Sequence, residues 1–193
     1  MTPVKFTETA LKGCLIVEIE PTVDERGYFA RVFCAREFAA HGLNPDMVQA
    51  SVSYNTAKGT LRGLHFEGGS YMEDKLVSCP KGAIFDVAVD LRPDSPTFGC
   101  WVGAELTGDN HRQLYLPKGF AHGFQTLTDV TVVGYHIAQF FEPGHSAGVV
   151  WNDTDIGVDW PLPPVNISGR DRAFPRLREL DRELLMPGKG ADQ

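Results

Sequence analysis

The chain has 193 residues, 42% of them apolar and 22% charged, which fits one globular domain long enough to bury a sizeable core. A formal charge of −7 excludes a broad nucleic-acid footprint, which needs a basic face, and leaves open a small anion held by a few converging cations. There is no run of about 18 apolar residues, so no membrane span is expected.

The opening segment, MTPVKFTETALKGCLIVEIEP, lacks the apolar core and small-residue cleavage site of a signal peptide. Cys14, Cys34, Cys79 and Cys100 are irregularly spaced without a CxxC pair, which predicts reduced structural thiols and argues against a zinc site. Both features predict a cytoplasmic protein. In chain order, short apolar runs predict strands over 14–20, 27–33, 46–54, 60–66, 74–79, 83–91, 100–106, 112–117, 121–127, 129–141 and 147–151. DERG, NTAKG, EGGS, PKG, RPDSP, TGDN, LPKG and EPGH lie between them and supply turn chemistry. AREFAAHG (35–42) predicts a helix stopped at Gly42, and leucines at 177, 180, 184 and 185 predict a second over 176–185. WPLPPVNIS (160–168) reads as an extended crossing segment, and no repeat or linker divides the chain. Roughly a dozen strands at this spacing predict an antiparallel sandwich or barrel, one all-β domain over 1–193 with a tail after about 175.

GTLRGLHFE (59–67) places polar chemistry inside a strand. On an ideal strand Leu61, Gly63, His65 and Glu67 share one face, and Arg62, Leu64 and Phe66 the other. A regular strand therefore cannot aim both Arg62 and His65 at one ligand. Gly63 permits a bulge that turns both inward, so an irregularity is expected at 62–64. In IFDVAVDLR, Asp86, Ala88 and Asp90 share a face, which taken alone reads as a solvent-facing polar stripe.

PKGFAHGF (117–124) shifts that balance, because its PxGxxH pattern resembles the second half of the cupin motif. Metal-binding cupins carry HxH in the first half; here LHFE offers His65 and Glu67 with no second histidine. A site built from His65, His122 and a carboxylate is one alternative, a metal-dependent cupin oxygenase or isomerase. The metal-free reading is preferred. A histidine free of metal is suited to proton removal near neutrality, with Asp171 or Asp86 as the carboxylate that orients it.

Several longer stretches carry a resemblance. GTLRGLHF, KLVSCPKGAIFDVAVDLRPDSPTFG, LYLPKGFAHGF, VVWNDTDIGVDWP and SGRD resemble, in this order, the dTDP-4-dehydrorhamnose 3,5-epimerase family, from about Cys14 to Asp171. The resemblance implies a metal-free cupin jelly roll acting as a homodimer on a nucleotide-diphosphate sugar, a 4-keto-6-deoxyhexose, without a cofactor. It implies His65 as base, Asp171 as its partner, Lys75 as enolate stabiliser and Tyr135 as the acid on the opposite sugar face. It also implies substrate contacts from Arg62, His122, Gln49, Ser51, Phe29 and Phe141, with Arg26 supplied by the partner subunit. No GxGxxG fingerprint for a nicotinamide or flavin is present.

The sequence departs from the family pattern at Ser51, where asparagine is usual, at Arg31, where glutamate is usual, and at Glu67, where glutamine is common. Two further alternatives are an epimerase acting at C3 only on a different nucleotide sugar, and a binding protein without catalysis. Retention of His65, Lys75, Tyr135 and Asp171 argues against the latter, because a binder needs no acid–base set.

Overall fold

The computed structural model describes residues 4–188. Thirteen strands and two short helices are present among them: β1 Lys5–Glu8, β2 Leu15–Glu18, β3 Thr22–Asp24, β4 Gly27–Phe29, α1 Ala35–Ala40, β5 Gln49–Asn55 and β6 Leu61–Glu67 lead the chain. Then come β7 Lys75–Lys81, β8 Ala83–Asp90, β9 Trp101–Thr107, β10 Arg112–Leu116, β11 Phe120–Thr126, β12 Thr131–Ile137, β13 Ser146–Gly148 and α2 Gly169–Arg172. Two antiparallel sheets face each other as a jelly roll. One runs β1-β2-β10-β7-β12-β5 and the other β13-β6-β11-β8-β9, while β3 and β4 form a separate hairpin.

Alternation along the strands explains the layering. Val77 and Cys79 of β7, Leu114 and Leu116 of β10 and Val133 of β12 meet Ile84 and Ala88 of β8 and Phe124 of β11 between the sheets. The intervening residues of β8, Val87 and Val89, pack outward against Val149, Ile156 and Leu185 of the carboxy-terminal segment. Both faces of β8 are therefore buried, which is why its sequence is nearly continuous in apolar residues. The outer face of the six-stranded sheet carries Val17, Leu76 and Tyr115 under Phe38 of α1.

Four expectations are corrected. The solvent-facing stripe that IFDVAVDLR suggests by itself is not one: Asp86 and Asp90 are fully buried, because their face of β8 turns with Ala88 toward the other sheet. The strand expected over 27–33 ends at Phe29, and β1 and β3 arise from short segments with little alternation. The helix expected over 176–185 is instead two 3-10 turns, Leu177–Glu179 and Arg182–Leu185, separated by extended backbone at Leu180 and Asp181. Leu177, Leu180 and Leu185 each reach the sheet separately, and Asp181 accepts the Glu183 amide at 2.9 Å, so tertiary contact and a local cap override helical periodicity. The run expected to extend β12 to 141 leaves the sheet after Ile137.

Candidate active site

Strand β6 is irregular where the sequence required it. His65 pairs with His122 and Arg62 with Phe124, so three steps on β6 match two on β11. Gly63 has φ of +134°, and the Gly63–Leu64 peptide is cis. A Cβ on Gly63 would stand 2.5 Å from Gly123 Cα, so only paired glycines allow the two strands this approach. Beyond the bulge, Arg62 and His65 line the same cleft of about 500 Å³, together with Ser168, Arg170, Asp171 and Arg172. Arg62 is aimed by its Nε, which donates to Asn55 Oδ1 at 2.8 Å.

Asp171 is delivered to that cleft by α2. Ser168 precedes the helix and its hydroxyl accepts the Asp171 amide at 3.0 Å, a helix-start bond that fixes the aspartate. Asp171 Oδ1 then lies 2.9 Å from His65 Nε2, and Oδ2 accepts the Gly63 amide at 3.1 Å. Burial alone would raise this carboxyl. The His65 hydrogen bond and charge, the Gly63 amide and the Ser168 hydroxyl outweigh it and hold Asp171 below the usual carboxylate range. The histidine is therefore oriented through a carboxylate that stays ionised, the arrangement required of a general base. Of the two carboxylates open from sequence, Asp171 holds His65.

Asp86 holds the other histidine. His122 Nε2 lies 2.7 Å from Asp86 Oδ1, both side chains nearly or fully buried between the sheets. Burial pushes the Asp86 carboxyl up, opposed by His122. The His122 ring faces Tyr135 across the sandwich, 6.0 Å between ring centroids and nearly perpendicular at 83°. Burial, and next the charge of Asp86, push the Tyr135 hydroxyl upward against the pull of Arg62, so this phenol keeps its proton.

Lys75, Tyr135, Gln49 and Ser51 sit in register on three neighbouring strands. Tyr135 pairs with Val77 and Ser51, and Ile137 with Lys75 and Gln49. Val77 belongs to the inter-sheet core, so Lys75, two residues earlier, faces the same interior. Its ammonium lies 2.6 Å from Glu73. Gln49, Ser51, Glu67, Glu73 and Phe141 line a second recess of about 210 Å³. Phe141 is exposed at its rim, its amide donating to Gln49 Oε1.

Arg26 and Phe29 are not among the residues that line the cleft or the recess. They lie on the exposed β3–β4 hairpin, where the Arg26 guanidinium bonds to Asp24. Arg31 is likewise away from the cleft, paired with Glu37 at 3.5 Å. Conversely, Arg170 and Arg172 were not singled out from sequence although they flank Asp171. Arg170 donates to Ser146 Oγ at 2.7 Å and lies over the Phe174 ring. Two arginines at alternate positions around the aspartate of SGRDR were the available signal. Among the described residues, no group of three or more His, Cys, Asp or Glu side chains is placed to hold a metal ion.

The fold and site together define a jelly-roll protein of cupin type that carries a hydrogen-bonded histidine–aspartate pair in an arginine-lined cleft. The model of one family, dTDP-4-dehydrorhamnose 3,5-epimerase, matches residues 8–179, and the chain belongs to that family. It is 43% identical over 182 residues to the dTDP-4-dehydrorhamnose 3,5-epimerase of Methanothermobacter thermautotrophicus, covering 93% of this chain and 97% of that protein. It resembles the crystal structure of dTDP-6-deoxy-D-glucose-3,5-epimerase from Legionella pneumophila in complex with dTDP-4-keto-L-rhamnose, at TM-score 0.90 and 38% identity, covering 97% of this chain and 100% of that one. A 3'-monoepimerase from Streptomyces bikiniensis in complex with dTDP-quinovose matches at TM-score 0.85 and 29% identity, covering 97% of this chain and 93% of that one. No helix among the described residues is long and apolar enough to cross a membrane.

Proposed function

We propose that this chain epimerises dTDP-4-keto-6-deoxyglucose at C3 and C5 through an enolate. The observation that carries the reading is the His65–Asp171 dyad in the lining of a cleft that also holds Arg62, Arg170 and Arg172. Three guanidinium groups suit a nucleotide diphosphate, whose oxygens accept forked hydrogen bonds. The sugar then extends between the sheets toward His122 and Tyr135. A proton beside the C4 ketone is acidic only when the resulting enolate oxygen is stabilised, which Lys75 does with its ammonium. His65 removes the proton, and Asp171 holds the ring and stabilises its cation. Tyr135 returns a proton from the opposite face, inverting the centre, and its raised hydroxyl keeps that proton available. Gln49, Ser51 and Phe141 hold the nucleotide side of the ligand. The scheme moves protons only.

The working unit of this reading is a cytoplasmic homodimer of single 1–193 domains. Its support is apolar surface that a monomer leaves wet: Val23, Tyr28 and Phe29 on the hairpin, and Val52 and Tyr54 on the edge strand β5, are more than half exposed. Docked on a second copy, the hairpin carries Arg26 and Phe29 to the neighbour's cleft.

The test is proton NMR of dTDP-4-keto-6-deoxyglucose in D₂O with wild type and His65→Ala. Deuterium entering C3 and C5 with wild type alone, with inverted product, is the expected result. Exchange at C3 only makes the enzyme a mono-epimerase. Exchange at neither position sinks the reading, and bound transition metal in the purified protein would then favour the metal-dependent cupin.

A further inference from the structure

The acid–base scheme uses Lys75 and leaves the acids around it unexplained. Glu73 Oε1 lies 2.6 Å from Lys75 Nζ, and the two side chains are only 12% and 14% exposed. Asp74, between them, turns away to accept the Tyr115 hydroxyl at 2.8 Å and the Asn44 side-chain amide at 2.8 Å. The backbone between the two partners is thereby pinned, so Glu73 is presented from a fixed base. Glu67 of the facing sheet lies within range of both charges and lines the same recess as Glu73. Burial, and in addition the charge of Glu73, push the Glu67 carboxyl upward, which weakens its competition for the ammonium.

An ammonium on a flexible four-carbon stem is a poor electrostatic device unless something holds it where charge develops. A short charge-assisted bond does so, and it occupies one of the three ammonium donors, leaving two for a ligand. As a stabiliser alone the pair would be a weak device, since drying both charges offsets much of their attraction. It also partly neutralises the field that an enolate would feel, a cost that only a gain in geometry explains. We propose that Glu73 is a positioning residue that fixes the Lys75 ammonium against the substrate's C4 oxygen and acts only through Lys75. The inference deepens the epimerase reading and rests on it.

The experiment compares wild type, Glu73→Ala, Glu73→Gln, Lys75→Ala and the Glu73→Ala/Lys75→Ala double variant. Deuterium entry into dTDP-4-keto-6-deoxyglucose is followed alongside calorimetric binding of dTDP. Glu73→Ala should slow turnover about 100-fold, the loss typical of a misplaced catalytic group, with dTDP affinity not weakened, since the change removes an acid from a recess that takes an anion. Glu73→Gln, which keeps an oxygen acceptor, should recover most of the rate. Added to Lys75→Ala, Glu73→Ala should cost nothing more, since the two act as one unit. A wild-type rate in Glu73→Ala, or an equal further loss on the Lys75→Ala background, overturns the proposal. The ammonium signals of ¹⁵N-lysine-labelled protein supply a readout independent of turnover. The signal absent from Lys75→Ala should exchange slowly with water in wild type and broaden in Glu73→Ala. If wild type moves no deuterium, the epimerase reading fails by itself, and an unchanged ammonium signal in Glu73→Ala refutes the positioning role separately.

Discussion

Asp171 grips strand β6 at two points, 2.9 Å from the His65 ring and 3.1 Å from the Gly63 amide. One carboxylate thus orients the His65 ring and satisfies the backbone of the bulge beside it. Asp171→Asn keeps the shape and removes the charge that stabilises the imidazolium, so kcat should fall by about 10³ or more. Asp171→Ala also leaves the buried Gly63 N–H without a partner, which should cost about 1–3 kcal/mol in addition. Turnover assays and denaturant unfolding of both variants separate these two effects: Asn should lose rate with little stability, Ala should lose both.

Tyr135 stands against the His122 ring, whereas the His65 ring meets Phe174. Its removal should leave proton abstraction intact and interrupt proton return. Tyr135→Phe should still wash deuterium into the substrate while forming inverted product at least about 100-fold more slowly. Equal loss of exchange and inversion would remove Tyr135 from the acid role.

Arg170 reaches the cleft from α2, beside Asp171, with its guanidinium anchored on Ser146 and Phe174. A charge-assisted contact to a phosphate oxygen contributes about 1.5–3 kcal/mol to binding. Arg170→Ala should therefore raise KM about tenfold or more with kcat nearly unchanged. Steady-state kinetics at fixed ionic strength check this, and a fall in kcat alone would refute a diphosphate contact.

Arg26 lies on the exposed hairpin, outside the cleft of its own chain. If it serves a neighbour's cleft, Arg26→Ala and His65→Ala should complement each other. Each variant homodimer has two damaged sites, whereas a mixed dimer has one intact site. Co-refolding two weakly active variants should restore up to roughly a quarter of wild-type activity, the share of intact sites on random pairing. No recovery would place Arg26 outside catalysis.

Asp90 is buried at the end of β8, and four contacts outweigh its burial: the Arg92 guanidinium, the Ser95 and Thr97 hydroxyls and the Arg92 amide. Burial raises its carboxyl, these bonds lower it, and the outcome is about 2 against an ordinary 3.8. A lowered folded-state pKa gives stability that is full above the unfolded value and lost as pH falls through the folded one. Wild type should exceed Asp90→Asn by about 2 kcal/mol at neutral pH. That gap should close between roughly pH 4 and pH 2. Urea unfolding at pH 7 and at pH 3 measures it, and a gap that stays constant would refute the linkage.

Alternation and turn chemistry made most strands legible, because each is a short apolar run ended by glycine, proline or an Asx residue. They were weakest where a segment's structure depends on what it rests against. KFTE becomes β1 by pairing with β2, and the leucines of the tail form 3-10 turns because the sheet takes them one at a time. The bulge at Gly63 was legible for a stereochemical reason: Arg62 and His65 cannot share a face of a regular strand, and a glycine stands between them.

The face on which a strand's polar residues lie was not legible. Asp86 is interior because its face of β8 turns toward the other sheet while the carboxy-terminal segment takes the opposite, apolar face, a fact of the chain's path and not of the local pattern. The same holds for partners across sequence. His65 could be matched to Asp171 or to Asp86 from residue types alone, and only the crossing of α2 beneath β6 assigns Asp171 to it and leaves Asp86 to His122. Glu73, Arg170 and Arg172 acquire meaning only through the groups they meet in space. The sequence by itself determined most of the strands, the residue types of an acid–base site and the need for a bulge. Those follow from backbone sterics and side-chain chemistry, which act within a few residues. The tertiary structure alone decided which carboxylate serves which histidine, because such pairing depends on distances between segments separated by 36 to 106 residues.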